Sequence, residues 1–557
     1  MAAVEHRREA ALADPTASPA RRSLGANTLT AIAAALLALA YSASFWRQLG
    51  AADLPGGLRG ALFLLAAFAV LFAFNGLLLS FVAWRGLQKP ALAIVLVLSA
   101  AAAYFMDGYG AVIDRHALQS VLETDLREGS EWLSWSMAGY LLVLGLLPVL
   151  ALVKLPVRYR PWPRELAGRA GFMVAMLAVI GLAVLPFSRE FSSTARNHAQ
   201  LRHLATPANL FNAVRGYAKH AAPGEPVVVA PLGTDAHGGS RYGVRKPVLL
   251  VIVVGESARA DSFSLAGYPR QTNPELAKIA PVFFPNVSSC GTNTATSLPC
   301  MFSDLGRARY EEASARGREN LLDVIAHAGL QVEWEDNNTG SKGVAARQRE
   351  ESIAKLPATQ PCDADGCLDE RLVEHLRDEL AAPGTADKVF VLHQIGSHGP
   401  AYFKRYPPQF ERFTPTCRSV SLQDCTTEEI RNSYDNTILY TDHVLAALIR
   451  LLEHEAGDRA PALLYLSDHG ESTGEHGLYL HGAPYALAPG EQTHVPMLLW
   501  TSPAFLRWRG LDTGCVQARR SDPLSHDNLF HTVLGLLDLQ TSVYEPKLDA
   551  LAGCAPA

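Results

Sequence analysis

Residues 248–257 read VLLVIVVGES: seven aliphatic positions in succession, then Gly255, Glu256 and Ser257. An unbroken β-branched and aliphatic run of this length suits a strand buried on both faces, not a half-exposed strand of alternating polarity. Shorter runs of the same kind recur at Leu330–Trp334, Val389–Leu392 and Ala462–Leu466. Helical patterns lie between them. In Asn432–His454 the apolar residues Ile438, Leu445, Leu448, Ile449 and Leu452 repeat at helical spacing. Strand-helix alternation implies an α/β domain with a mainly parallel central sheet. Such sheets bind ligands at the carboxyl ends of their strands. Glu256, the pair His393 and His398, and the dipeptide Asp468-His469 each follow a strand, so candidate ligands converge on one rim.

The rest of the chain is of another kind. At 557 residues it exceeds one typical domain. A net charge of −5 and the absence of a long basic run argue against a nucleic-acid partner. Mean hydropathy is +0.08, high for a soluble enzyme, and the apolar excess lies before about residue 190. Five segments there have the length and composition of membrane spans: Leu29–Trp46, Gly60–Trp84, Pro90–Met106, Leu133–Val153 and Ala170–Phe187. Arg7, Arg8, Arg21 and Arg22 precede the first, Arg85 and Lys89 separate the second and third, and five Lys or Arg residues separate the fourth and fifth. The other two loops are poor in Lys and Arg. The positive-inside rule therefore places the N-terminus in the cytoplasm and everything after about residue 190 outside. The cysteines agree: all eight lie after residue 289, and six form the short-range pairs 290/300, 362/367 and 417/425. Phe191–His220 reads as an interfacial amphipathic helix or a plain surface helix, and Pro223–Lys246 as a Gly- and Pro-rich connector.

Between Cys290 and Cys300 the sequence CGTNTATSLPC holds Thr292, Thr294 and Thr296. A threonine hydroxyl is too weakly acidic to attack a phosphate or sulfate unaided, and coordination to Zn²⁺ would supply the alkoxide. Asp468-His469 in SDHGE has the chemistry of metal ligands. His398 in GSHGP and His481 in YLHGAP sit in Gly/Pro-rich loops. Composition alone does not choose among the three threonines, since such hydroxyls commonly bond to nearby backbone.

The motifs VVGESARAD, CGTNTATSLPCMFS, DNNTGSKGV, HQIGSHGPAYFKRYP, SDHGESTGEHGLYLHGAPY and THVPM together resemble the lipid A phosphoethanolamine transferases. That family includes the mobile colistin-resistance enzymes and belongs to the alkaline phosphatase/sulfatase superfamily. The resemblance spans nearly the whole chain. It implies a cytoplasmic N-terminus (1–28), a five-helix transmembrane domain (29–190), an amphipathic bridging helix and linker (191–246) and a periplasmic α/β catalytic domain of alkaline phosphatase/sulfatase-like fold (247–557), anchored in a bacterial inner membrane.

Carried over residue by residue, the resemblance makes Glu256, Thr294, Asp468 and His469 zinc ligands and Thr294 the nucleophile. Lys342, His398 and His481 match positions that contact the phosphoryl group or a second zinc. Asn338 and Glu471 lie in the same motifs, Asn338 among the substrate contacts. The disulfides implied are Cys290–Cys300, Cys362–Cys367 and Cys417–Cys425, while Cys515 and Cys554 either pair or stay free. SVLETDLRE resembles the headgroup-contacting segment: Thr124 and Glu128 match, and Ser120 stands where asparagine is common. The implied reaction is zinc-dependent transfer of phosphoethanolamine from phosphatidylethanolamine to a phosphate of lipid A, by a monomer among membrane lipids. The rivals are a sister transferase using core sugar, glucan or phosphoglycerol, and an inactive membrane sensor. A sulfatase is disfavoured, because neither Cys290 nor Cys300 begins a C-x-P-S-R pattern.

Overall fold

The computed structural model describes residues 23–52, 54, 56–123, 129, 132–221, 228–242, 247–356, 362, 366–381 and 386–555. They form two compact units that interleave along the chain. One comprises the described residues up to 101 with 141–199 and 205–208; the other comprises 102–140, 200–204 and 209 onward.

The second unit is built on an eight-stranded sheet. Its strands in chain order are β1 (Val248–Gly255), β2 (Val282–Ser288), β3 (Gln331–Asp336), β4 (Arg349–Ser352), β5 (Lys388–His393), β6 (Ala460–Ser467), β7 (His494–Thr501) and β8 (Leu524–Ser525). Across the sheet they run β8-β2-β7-β6-β1-β5-β3-β4. Every pairing is parallel except those of β7, which is antiparallel to β2 and β6. The sheet is thus mainly parallel, with β1 between β6 and β5 at its centre.

All eight residues of β1 are buried. Side chains alternate across a strand, so Val248, Leu250, Ile252 and Val254 join one apolar core while Leu249, Val251 and Val253 join another. Two cores explain why β1 shows no polar alternation. The second core is closed by the helix Thr427–Glu455 through Ile438, Leu445, Leu448, Ile449 and Leu452. A capping box starts that helix: Glu429 N–H donates to Thr426 Oγ1 (3.2 Å), and Thr426 N–H donates to Glu429 Oε2 (2.7 Å). Sequence periodicity does not mark β2 or β7, each of which contains a proline. In β7 the register against β2 shifts between Val495 and Met497, at Pro496, where a missing N–H is tolerated. Four disulfides brace this unit: Cys290–Cys300, Cys362–Cys367, Cys417–Cys425 and Cys515–Cys554.

Among the described residues four helices are long and apolar enough to cross a membrane: Gly57–Ser80, Gln88–Tyr109, Trp135–Lys154 and Trp162–Asn197. The pair Ala26–Ala40 and Ala43–Gly50, bent by 53°, makes a fifth crossing when it serves as one span. The segment Leu29–Trp46, read as one span, is thus built from two helices joined by a bend. Side-chain donors support the break: Ser42 Oγ donates to the Leu37 carbonyl (3.1 Å) and Trp46 Nε1 to the Ala38 carbonyl (2.7 Å). Where water is excluded, carbonyls at a helix break need such partners. The Tyr41 hydroxyl at the same break donates to the Leu144 carbonyl. Pro148, four residues on from Leu144, has no N–H to offer that carbonyl.

Candidate active site

The carboxyl ends of β1 and β6 deliver the first elements of the site. Glu256 follows β1, Asp468 and His469 follow β6, and all three side chains are fully buried. One ligand atom from each lies within 4.8 Å of the others. His469 Nε2 stands 3.4 Å from both Glu256 Oε1 and Asp468 Oδ2. Asp468 Oδ1 accepts from the backbone N–H groups of His469 (2.7 Å) and Ser257 (3.3 Å). His469 Nδ1 lies 3.0 Å from the Gly470 carbonyl; donation there fixes the tautomer and leaves the Nε2 lone pair facing the carboxylates. Gly470 is required sterically, because a Cβ at that position would meet the Glu491 carbonyl oxygen at 2.1 Å.

Thr294 opens the helix Thr294–Met301, capped by Asn293, whose side chain accepts from Thr296 N–H at 2.9 Å. The three threonines of the loop have different partners. Thr292 Oγ1 donates to the Ala483 carbonyl (2.7 Å), and Thr296 Oγ1 faces His116 Nδ1 (3.3 Å). Thr294 Oγ1 alone of the three joins the cluster, donating to Glu256 Oε2 (2.9 Å) and lying 3.4 Å from His469 Nε2.

Burial opposes ionisation of Glu256, yet His469, His398 and His481 hold its carboxyl below the usual range. Burial and the Glu256 charge push Asp468 well above it. Burial keeps His469 neutral, lowered to about 4 with the charge of His481 reinforcing the effect. Asp468 Oδ2 is buried without a hydrogen-bond partner among the described residues. Two buried carboxylates, a neutral imidazole and a hydroxyl converge on one point with an unpartnered carboxylate oxygen, and a divalent cation there would satisfy it. The donor set fits such an ion.

A second layer surrounds these four. Asn338 Nδ2 donates to Glu256 Oε2 (2.8 Å) and to the Gln394 carbonyl (3.1 Å). Its amide thus supports Glu256, although the sequence reading groups it with substrate contacts. The His481 ring lies 4.4 Å from that of His469 and 5.5 Å from that of His398. Glu471 Oε2 sits 2.8 Å from His481 Nδ1, and Tyr402 OH donates to Glu471 Oε1 at 2.6 Å. Burial opposes protonation of His481, but Glu471 prevails and raises it to about 9. Burial lowers His398 to about 3. Lys342 occupies the turn beyond Asn338 with its backbone in the left-handed region (φ 51°).

Other expected residues lie elsewhere. His393, the last residue of β5, has Nδ1 2.7 Å from Asp336 Oδ1 and is not part of the ligand cluster, so its place among the candidate ligands is corrected. Ser120 is exposed on the helix Arg115–Glu123, while Thr124 and Glu128 lie outside the described residues. Sequence reasoning passes over His526. Its Nδ1 accepts from Cys290 N–H (3.0 Å) and its Nε2 is 3.0 Å from the Ser467 carbonyl, tying the threonine loop to the end of β6. Ser297 Oγ adds a bond to the Asp468 carbonyl (2.5 Å). A lone histidine in a short loop carries no pattern that would reveal this role.

Comparison with known proteins agrees with the architecture. Residues 249–539 match the family described as Sulfatase, and residues 71–222 match "Phosphoethanolamine transferase EptA/EptB". Phosphoethanolamine transferase EptA of Escherichia coli K12 is 38% identical over 541 residues, covering 96% of this chain and 98% of that protein. Phosphatidylethanolamine transferase Mcr-1 of Escherichia coli is 39% identical over 476 residues, covering 82% of this chain and 84% of that protein. The solved integral membrane lipooligosaccharide phosphoethanolamine transferase A (EptA) from Neisseria meningitidis superposes with a TM-score of 0.91 at 34% identity, covering 96% of this chain and 100% of that one. With a sulfatase-like unit carrying the buried carboxylate-histidine-threonine cluster and helices suited to a bilayer, the chain belongs to the phosphoethanolamine transferases.

Proposed function

We propose that this enzyme moves phosphoethanolamine from phosphatidylethanolamine to a phosphate of lipid A, by way of a phosphoethanolamine ester on Thr294. The observation that carries the reading is the position of the Thr294 hydroxyl, 2.9 Å from Glu256 Oε2 at the edge of the buried cluster. The names of the relatives support the transferred group. "Kdo(2)-lipid A phosphoethanolamine 7''-transferase" of Escherichia coli, 28% identical, ties the wider group to lipid A.

Glu256, Asp468, His469 and Thr294 would hold one zinc ion, which when bound lowers the pKa of a ligating hydroxyl and neutralises charge on phosphoryl oxygens. Thr294 Oγ1 gives up its proton to solvent and attacks the donor phosphorus. The bond from phosphorus to the glycerol oxygen breaks, and diacylglycerol leaves. His481, held by Glu471, delivers the proton that the departing oxygen needs. Lys342 and His398 orient the phosphoryl group. An oxygen of the lipid A phosphate then attacks the same phosphorus, forming a P–O–P linkage and returning the oxygen to Thr294. Phosphoryl transfer asks mainly for positioning and charge neutralisation, which a rigid buried cluster provides. Both substrates are lipids, so the enzyme acts as an integral protein of the inner membrane, with its N-terminus in the cytoplasm and its α/β unit in the periplasm.

The test compares lipid A from cells carrying the wild-type chain, the Thr294→Ala variant or neither. Mass spectrometry should show an added phosphoethanolamine only with wild type. Wild-type cells whose lipid A lacks that mass, while the protein releases diacylglycerol from phosphatidylethanolamine, would redirect the reaction to another acceptor.

A further inference from the structure

Beside the nucleophile loop lies a cleft of about 740 Å³, bordered by Thr292, Asn293, Ala295 and Thr296. It is distinct from the layer described above: Lys342, His398 and His481 are not among its lining residues. Its volume is that of a small-molecule site, with room for a phosphorylated sugar.

The cations of the cleft are not paired with its carboxylates. Arg115, Lys219 and Arg307 line it, and none of the three has a carboxylate within ion-pair distance among the described residues. Of the three carboxylates that also line it, Asp114 accepts from His116 and Ala117 N–H at the start of the helix Arg115–Glu123, Glu312 pairs with Arg316, and Glu311 is exposed to solvent. The Arg307 guanidinium rests 3.2 Å from the centroid of the Tyr485 ring, and Tyr485 is anchored through its hydroxyl to the Ser289 carbonyl (2.9 Å). That stack holds the cation over the cleft without neutralising it. The Tyr310 hydroxyl, also on the wall, is buried with no hydrogen-bond partner among the described residues. Three unmatched cations and an orphan hydroxyl next to Thr294 are the lining expected around a strongly anionic phosphate.

We propose that this cleft is the subsite for the attacking phosphate, with Arg307 and Arg115 holding it and Lys219 at its edge; this rests on the phosphoethanolamine-Thr294 reading above. Charge selects between the two phosphate sources. The donor headgroup carries one negative and one positive charge and is neutral as a whole. A phosphate monoester carries about −1.5 to −2 near neutral pH and calls for several cations. In the step served, an oxygen of that monoester forms the new bond to phosphorus while the P–O bond to Thr294 breaks. The threonine oxygen keeps the electron pair and is reprotonated by the proton shed from the acceptor or from solvent.

The experiment uses full-length protein in detergent and measures two half-reactions. In the first, fluorescent phosphatidylethanolamine alone gives the diacylglycerol burst. In the second, the loaded enzyme is given lipid A. For Arg307→Ala the second rate should fall about tenfold or more relative to the first, with a raised acceptor KM, and Arg307→Lys should recover part of it. Arg115→Ala should shift the ratio in the same direction. A burst reduced in step with transfer would assign the cleft to the donor and overturn the proposal. Unaltered kinetics in both halves for Arg307→Ala and Arg115→Ala would also overturn it. A wild-type enzyme that gives no burst would instead overturn the Thr294 reading, and the subsite would fall with it.

Discussion

Two polar regions flank Thr294, and they differ in how their charges are held. On one side Glu256, Asp468 and His469 are fully buried, locked by Ser257, Asn338, Gly470 and Ser297, and left with one unpartnered oxygen at Asp468. On the other side Arg115, Lys219 and Arg307 line an open cleft, and Arg307 is placed by stacking on an aromatic ring. The first region is pre-organised around a point, as a resident ion demands. The second keeps unmatched charge available for something that comes and goes. An enzyme that must load and then discharge a nucleophile needs both kinds of site, one permanent and one exchangeable.

The largest effect should come where the regions meet. Thr294→Ala should reduce diacylglycerol release from fluorescent phosphatidylethanolamine by more than about a thousandfold, because loading itself is abolished. A residual burst of wild-type size would place the nucleophile elsewhere. Next is the support of the buried region. Asn338→Ala removes the amide that holds Glu256 and should lower metal affinity or activity about 10–100-fold, read as zinc retained on dialysis against a chelator. If that variant retains zinc as wild type does but loses acceptor affinity, Asn338 belongs with the substrate contacts and the contrast between the two regions blurs.

The smallest effect is expected far from both, at His443, whose ring nitrogens lie 2.8 Å from Glu275 and 3.0 Å from Glu370. The bond to Glu370, then Glu275 acting against burial, raises the imidazole above its ordinary value. A histidine raised on folding adds stability that is complete below its unfolded pKa, about 6.5, and is lost as pH rises through the folded value. Thermal unfolding of the full chain should therefore lose more Tm between about pH 6 and pH 8 in wild type than in His443→Gln. Donor cleavage should respond equally in the two proteins.

Local patterns exposed part of this molecule. The aliphatic run that becomes β1 and the periodic helix Thr427–Glu455 are visible because burial on two faces and burial on one face leave different spacings in sequence. Glu256, Asp468 and His469 are visible because they end such runs. Thr294 is another matter: its two neighbouring threonines have the same chemistry, and only the long-range partners Ala483, Glu256 and His116 separate the three. His526 and the His393–Asp336 pair are set by contacts across 57 to 236 residues, for which no local period exists. β7 escaped because Pro496 interrupts a strand pattern, and the bend at Tyr41–Ser42 because hydropathy averages over a helix break.

The proposed reaction passes through a single covalent bond, that between phosphorus and Thr294 Oγ1. Wild-type protein incubated with phosphatidylethanolamine and no acceptor, then digested and mapped by tandem mass spectrometry, should carry one phosphoethanolamine on Thr294. That modification should disappear when lipid A is added. A modification on Thr292 or Thr296, or none at all while diacylglycerol is still released, would contradict it.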